Sequence, residues 1–117
     1  MSSVLWMKST CTTCRSAKAK LEQLGVQFEV RDYARRPLAA AELEGLLPAD
    51  PGPMVSTKSP KFKELGLQDR HLSKPEAIAL MVADNNLLRR PILVHSGGVV
   101  IGFGAAVSDA YAALATR

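Results

Sequence analysis

The feature that most constrains the fold is a short stretch near the N-terminus in which an apolar run, two cysteines and an amphipathic segment follow one another directly. The apolar run SVLWM at residues 3–7 is bounded by polar residues, which is typical of a short buried strand. From Thr12 to Leu24, small and apolar residues recur at helical spacing among charges, and Gly25 supplies a stop signal. Cys11 and Cys14, the only two cysteines in 117 residues, lie where the strand would pass into the helix.

A second strand is predicted directly after this helix. In VQFEV, at residues 26–30, Val26, Phe28 and Val30 alternate with polar residues, which is the period-2 signature of a strand, and the polar segment RDYARRP then breaks the pattern. The first third of the chain therefore indicates a β-α-β unit, whose crossover is normally right-handed and whose strands are normally parallel.

The middle of the chain predicts helices separated by rigid turns. A helix is expected to begin at Pro37 and to continue up to Pro48. The segment SPKFKELGL predicts a short helix with Ser59 as cap and Pro60 in its first turn, and SKPEAIALMVADNN repeats that pattern with Ser73 and Pro75.

The last third predicts a hairpin and a final helix. Apolar runs at Ile92–Val94 and Val99–Ile101 flank HSGG, in which Gly97-Gly98 would form the turn, and AAVSDAYAALA at residues 105–115 would form a helix over the sheet. The whole order predicts an α/β protein of thioredoxin-like plan, with a mixed four-stranded sheet and a helical insertion between its β-α-β and β-β-α halves. At this length we expect a single domain over residues 1–117.

Composition excludes several classes of protein. The chain is 47% hydrophobic and 22% charged, and no apolar run approaches the roughly 18 residues of a membrane span. The start MSSVLWMKST does not have the pattern of a signal peptide, so we expect a cytoplasmic protein without a membrane partner. The net charge of +4 is scattered along the chain, and we expect no direct DNA binding.

The cysteine pair is best explained as a redox couple. A disulfide between Cys11 and Cys14 closes too small a loop to contribute much as a structural staple. A structural zinc site usually needs four ligands, and the other candidates, His71 and His95, lie in no paired ligand spacing, so we expect no metal. Two inert core cysteines remain the alternative, because free cysteine is often buried.

Placement at a helix start predicts different roles for the two cysteines. Unpaired N–H groups and the positive end of the helix dipole would lower the pKa of Cys11 and make it a nucleophile. Cys14, one turn further on, would resolve the adduct by forming a disulfide. The same first turn binds tetrahedral oxyanions in other proteins, so Thr12 and Thr13 are candidate substrate-binding residues, with Arg15 as an added positive charge.

A second candidate element is LLRRPILV. Pro91 stands at the head of a predicted strand, where proline is tolerated and where a cis peptide can occur; in thioredoxin-like folds such a proline faces the redox cysteine. Arg90 would then be directed at Cys11 and would bind an anion through its guanidinium. Alternatively, Arg89 and Arg90 form only a solvated helix end.

The segments CTTCRSAKAKLEQLGVQFEVRDY, VSTKSPKFKELGL, LLRRPILV and VIGF together resemble the arsenate reductase / Spx family, collinearly from Cys11 to Phe103. For an arsenate reductase, active in arsenic detoxification, the resemblance implies attack of Cys11 on arsenate or another small oxyanion, with Arg90 as anion clamp. It implies no bound cofactor and an external thiol donor, either thioredoxin or glutathione with glutaredoxin. Ser56 and Ile101-Gly102-Phe103 stand where the reductases place further arginines, and Lys58, Arg15 or Lys8 is a candidate substitute.

The other branch of the same family consists of Spx-type regulators, which bind RNA polymerase and switch through a Cys-x-x-Cys pair. VSTKS, the cysteine pair and LLRRPI followed by IGF resemble this branch, while the abundance of Ala, Arg, Gly and Pro is unlike its usual members. The reductase is the leading hypothesis, the redox-switched regulator is the alternative, and a general reductase of glutathione mixed disulfides is a third reading of the same Cys11 chemistry.

Overall fold

Four strands form one mixed sheet in the order β2-β1-β3-β4, in which β1 is parallel to β2 and antiparallel to β3, and β3 is antiparallel to β4. The strands are β1 (Ser3–Met7), β2 (Phe28–Asp32), β3 (Ile92–His95) and β4 (Gly98–Ile101). This computed structural model describes residues 3–95, 98–104 and 110–112. The predicted thioredoxin-like α/β fold with a mixed four-stranded sheet is confirmed.

The chain divides into two compact units. The sheet unit comprises Met1–Arg35 and Arg90–Arg117, and the helical unit comprises Arg36–Arg89. The helical unit is thus inserted in the sequence between the β-α-β and β-β halves of the sheet unit, as the sequence predicted. The expectation of a single domain over the whole chain stays a prediction.

The core of the sheet unit lies between the central strands and the first helix, α1 (Thr12–Gln23). Side chains on a strand alternate between its two faces, so Leu5 and Met7 of β1 are both buried on one side. Leu93 of β3 pairs with Leu5 and is also fully buried. Helix α1 covers this face with its own buried residues, Cys14, Ala17 and Leu21.

Helix α1 ends as the sequence predicts, at a glycine. Gly25 has a φ of 71°, in the left-handed region that a side chain disfavours. Its N–H donates to the carbonyl of Glu22, and the N–H of Val26 donates to that of Leu21 at 3.1 Å, so two carbonyls of the last turn are satisfied.

Strand β2 begins two residues later than predicted, at Phe28, and continues into the polar segment through Asp32. The predicted inward alternation fails at Val30, which is 41% exposed, whereas Arg31 is buried. Parallel pairing with β1 along its whole length, from Ser3 opposite Phe28 to Met7 opposite Asp32, sets these bounds. The Arg31 guanidinium lies 6.0 Å from the centre of the Trp6 ring, which explains how a cation is buried here.

The helical unit contains three α-helices: α2 (Ala40–Leu46), α3 (Pro60–Glu64) and α4 (Lys74–Ala83). It also contains three short 3-10 helices, at Gly52–Met54, Leu67–Asp69 and Asn85–Leu87. Helix α2 is shorter than the predicted Pro37–Pro48. It begins only at Ala40 because Ala39 is extended and the N–H of Leu38 donates to the Asn85 side chain at 3.1 Å. Asn85 in turn donates to the carbonyl of Met81 at 2.7 Å, which ties the segment before α2 to the end of α4.

The two predicted serine caps differ in the structure. Ser73 caps α4: its hydroxyl accepts from the N–H of Glu76, and the Glu76 carboxylate accepts from the N–H of Ser73. Ser59 occupies the cap position of α3, but its hydroxyl makes no capping bond. That oxygen is buried and has no hydrogen-bond partner among the residues described.

The predicted hairpin is present as β3 and β4, with His95 opposite Gly98. Each strand is one residue longer toward the turn than expected, so Gly98 belongs to β4 rather than to the turn. Gly97 of the predicted turn lies outside the described residues, as does most of the helix predicted at 105–115; of that segment, residues 110–112 are helical.

Candidate active site

Cys11 occupies the cap position of α1, between the end of β1 and the first helical turn. Its backbone is extended, with φ −94° and ψ 121°, and its Sγ accepts from the N–H of Cys14 at 3.4 Å. Its own N–H donates to the carbonyl of Lys8 at 2.9 Å, which closes the loop that delivers the thiol to the helix end. A sulfur in this position takes the part that a serine or aspartate oxygen takes in an ordinary cap.

Cys14 lies one turn further along α1 and points into the core. It is fully buried, whereas Cys11 is half-buried, and both are free thiols. Burial, together with the neighbouring Cys11, raises the pKa of Cys14 to about 12, so this thiol stays protonated at neutral pH. The pair thus contains one accessible and one enclosed sulfur.

The surroundings of Cys11 favour its thiolate. Burial raises the pKa of Cys11, but hydrogen bonds from the Cys14 side chain and backbone, and from Arg90, act in the opposite direction. The positive charge of Arg90 adds to them, and the pKa of Cys11 lies below its ordinary value. A lowered pKa on an accessible cysteine is the usual condition for a nucleophilic thiol.

Arg90 reaches this site from the other half of the sheet unit. The Arg90-Pro91 peptide is cis, Pro91 is buried, and its carbonyl accepts from the N–H of Gly102 at 2.7 Å. A hydrogen bond from the Arg90 side chain and its positive charge both lower the pKa of the Cys11 thiol. The Arg90 Nε is buried without a hydrogen-bond partner among the described residues.

Tyr33 is a residue of the site that the sequence analysis missed. It is 3% exposed, and burial raises the pKa of its hydroxyl. The charge of Arg90 and a hydrogen bond with it lower that pKa, whereas the charges of the two cysteines raise it. Tyr33 follows β2 in a polar segment, and a lone tyrosine there carries no local signal of chemistry. The parallel pairing of β2 with β1, which places Asp32 opposite Met7, is what brings Tyr33 to the cysteine loop.

The remaining predicted site residues lie at different places. Thr12 and Thr13 are exposed in the first turn of α1, and Arg15 is exposed beside them. The Arg15 guanidinium donates to the carbonyl of Ser9 at 3.1 Å and to the Thr12 hydroxyl at 3.4 Å, so it braces the cysteine loop. Lys58 lies in an exposed turn of the helical unit. For all four residues, a contact with substrate stays a prediction.

Comparison with known proteins places this site in a family. The profile of the ArsC family matches residues 6–111. The chain belongs to the ArsC family. The global transcriptional regulator Spx of Streptococcus pneumoniae is 33% identical over 102 residues, which cover 85% of this chain and 77% of the regulator.

Solved structures of other proteins agree with the ArsC assignment. The YFFB protein superimposes with a TM-score of 0.79 at 26% identity, covering 97% of this chain and 98% of the other. Arsenate reductase from Vibrio cholerae gives a TM-score of 0.72 at 27% identity, covering 97% and 98%. The chain is therefore similar both to a protein named as a regulator and to a protein named as a reductase.

Two further observations bear on the ArsC site. Among residues 3–95, 98–104 and 110–112, no three histidine, cysteine or acidic side chains are grouped so that they could hold a metal ion. Within the same ranges, no helix is both long enough and apolar enough to cross a bilayer.

Proposed function

We propose that this ArsC-family protein is a thiol-dependent oxidoreductase that reduces arsenate to arsenite, with Cys11 as the nucleophile. The observation that supports this most directly is the half-buried Cys11 thiol at the cap of α1, with a lowered pKa, beside Arg90 and one turn from the buried Cys14 thiol. This arrangement combines a thiolate, a second thiol one helical turn away and the positive charge of Arg90, which can attract an anionic substrate.

The proposed first step is attack on arsenic. The Cys11 thiolate bonds to the arsenic of arsenate, and an arsenate oxygen leaves as water after protonation. Arg90 and the N–H groups at the start of α1 hold the remaining oxygens, because a guanidinium and a helix N-terminus both favour a tetrahedral anion.

The proposed second step transfers the two electrons. The Cys14 sulfur, deprotonated as it reacts, attacks Cys11 Sγ; the S–As bond breaks with its electron pair moving to arsenic, and arsenite leaves. The products are arsenite and a Cys11–Cys14 disulfide, which thioredoxin or glutaredoxin then reduces by thiol exchange. The cycle needs an external thiol donor and no bound cofactor.

Arsenate-dependent oxidation of NADPH tests the proposal. The purified protein is assayed with thioredoxin and thioredoxin reductase, and separately with glutathione, glutaredoxin and glutathione reductase. We expect turnover with at least one system. The absence of an arsenate-dependent rate with both systems would refute the reductase function.

A Cys14→Ser variant separates the two steps. It keeps the nucleophile but has no resolving thiol, so we expect multiple turnover to stop while a Cys11 adduct accumulates and is detected by intact-protein mass spectrometry. Cys11→Ser is the matched control and should form no adduct. Undiminished turnover by Cys14→Ser would remove Cys14 from the mechanism.

A second candidate function is a redox-switched regulator that binds RNA polymerase. The 33% identity to the Spx regulator of Streptococcus pneumoniae over 85% of this chain favours it. The test is a pull-down with the tagged protein, reduced and oxidised, followed by identification of polymerase subunits. Capture that depends on the redox state, in a protein without arsenate turnover, would favour the regulator; turnover without capture would favour the reductase.

A further inference from the structure

A buried tyrosine stands at the point where β1 passes into the cysteine loop. The N–H of Tyr33 donates to the carbonyl of Met7, the last residue of β1, at 3.0 Å. The loop that begins at the next residue, Lys8, leads directly to Cys11. Tyr33 is therefore fixed by its backbone to the same strand end that positions the nucleophile.

The Tyr33 hydroxyl supports the guanidinium without neutralising it. Burial raises the pKa of Tyr33, so the phenol is neutral at any pH at which Cys11 would act. A neutral oxygen accepts a hydrogen bond from Arg90 and leaves the positive charge of that side chain available to Cys11. A carboxylate in the same place would orient Arg90 equally well but would cancel much of its charge.

Asp32 fastens the turn that carries this tyrosine. Its Oδ1 accepts from the N–H of Ala34 at 3.0 Å and from the N–H of Ser9 at 3.1 Å. Ser9 belongs to the cysteine loop, and its carbonyl accepts from the Arg15 guanidinium at 3.1 Å. One carboxylate oxygen thus ties the turn after β2 to the loop before α1.

We propose that Tyr33 is a positioning residue of the dithiol site: its hydroxyl holds the Arg90 guanidinium against the Cys11 thiolate, and Asp32 fastens the turn from which it acts. The proposal deepens the proposed function, because the same thiolate would attack arsenate. It concerns the reactivity of Cys11 itself, so it is tested without arsenate.

The first test is Tyr33→Phe, which removes one oxygen and keeps the ring. The pKa of Cys11 is measured from the pH dependence of its alkylation by iodoacetamide, in a Cys14→Ser background so that one thiol reacts. We expect the midpoint to rise and the alkylation rate below it to fall roughly three- to tenfold, since one pKa unit is a tenfold change in thiolate. An unchanged midpoint would overturn the proposal.

Tyr111→Phe is the matched control. Tyr111 is a second fully buried tyrosine of the sheet unit, and its hydroxyl has no hydrogen-bond partner among the residues described. Removing that oxygen should leave the Cys11 midpoint unchanged. If Tyr111→Phe raised the midpoint as much as Tyr33→Phe, a general disturbance of the core would explain both changes, and the proposal would fail.

An Arg90→Gln background distinguishes positioning from a direct effect. Arg90→Gln alone should raise the Cys11 midpoint, and Tyr33→Phe added to it should raise it no further, because Tyr33 acts through Arg90. Additive shifts would show that Tyr33 acts on the thiol by another route. Failure of the arsenate assay with these shifts intact would refute the proposed reductase function and leave the positioning role standing.

Discussion

At the scale of single residues, the two cysteines have opposite surroundings although they lie one helical turn apart. Cys11 is half-buried at the helix cap and is held beside Arg90, whereas Cys14 is enclosed with Leu5, Leu21 and other core side chains. The first environment favours a thiolate and the second a thiol. This difference, rather than the Cys-x-x-Cys spacing, is the basis on which we propose Cys11 as the attacking thiol and Cys14 as the resolving thiol.

We therefore predict strongly unequal alkylation. With iodoacetamide and peptide mapping by mass spectrometry, Cys11 should react through a midpoint below the ordinary pKa of a cysteine. The rate increases with pH because the thiolate forms above its pKa. At neutral pH, Cys11 should react on the order of a hundredfold or more faster than Cys14, whose pKa is raised to about 12.

The control for this prediction is the unfolded chain, in which the two thiols should react at similar rates and with similar midpoints. Equal labelling of Cys11 and Cys14 in the folded protein would contradict the unequal surroundings described above.

At the scale of elements, a single side chain connects the cysteine loop with the turn after β2. Burial raises the pKa of Asp32, but hydrogen bonds from Ser9 and Ala34 and the charge of Arg35 together outweigh this effect and lower the pKa below its ordinary value. A carboxyl whose pKa is lowered on folding stabilises the native state above its unfolded pKa, and this stabilisation is lost as the pH falls through the folded pKa.

We predict that Asp32→Ala lowers the free energy of unfolding by about 1 kcal/mol at neutral pH, because two N–H groups lose their acceptor. The difference from the wild type should shrink as the pH falls through the lowered pKa of Asp32. Because the cysteine loop is released, the Cys11 midpoint should also rise. Urea denaturation across pH and the alkylation profile measure both effects.

Asp84→Ala is the matched control for Asp32→Ala. The Asp84 carboxylate also accepts from a backbone N–H, that of Asn86 at 3.0 Å, but it lies in the helical unit. Asp84→Ala should lower the free energy of unfolding without changing the pH midpoint of Cys11 alkylation. A midpoint unchanged in Asp32→Ala would show that this carboxylate does not position the loop.

The two serine caps give a second prediction at this scale. Ser73→Ala should lower the free energy of unfolding by about 1 kcal/mol, because α4 loses its cap. Ser59→Ala should lower the free energy of unfolding clearly less than Ser73→Ala does, or should even raise it. The buried Ser59 hydroxyl makes no capping bond and has no hydrogen-bond partner among the described residues, so its removal breaks no interaction. Urea denaturation of the two variants compares them, and equal losses would argue against this difference.

The features of these elements that could be predicted are those that depend on residues close together in the sequence. Helix α1, its stop at Gly25 and the Ser73 cap depend on residues within a few positions, and they were predicted. Tyr33 and the Asp32 bridge could not be predicted, because they depend on the register of β2 against β1. Hydrophobic alternation suggested that Val30 faces inward; Arg31 is buried instead because it packs over Trp6.

At the scale of the whole molecule, the sheet joins segments that are far apart in the sequence. The central strands β1 and β3 pair Leu5 with Leu93, and the entire helical unit lies between these residues in the chain. The order of strands and helices was sufficient to predict this plan, because each element has its own local pattern. The division into a sheet unit and a helical unit depends on tertiary contacts, which no local pattern contains.

We predict that Leu93→Ala lowers the free energy of unfolding by about 2 to 5 kcal/mol, as expected for a fully buried leucine in a central strand. Val99→Ala is the control: Val99 is 44% exposed on the edge strand β4 and should cost well under half as much. Thermal and urea denaturation measure both. Equal losses in the free energy of unfolding for the two variants would show that burial in the central strand does not make Leu93 more important for stability than Val99.

The cap of α1 carries one more consequence. A helix is usually capped by a group whose chemistry never changes, but here the acceptor of the Cys14 N–H is the sulfur of Cys11. Forming a disulfide removes the negative charge that this sulfur places at the positive end of the helix dipole. The first turn of α1 should therefore fray more readily after oxidation. The rate of amide hydrogen exchange in that turn would then report whether Cys11 and Cys14 are reduced or joined in a disulfide.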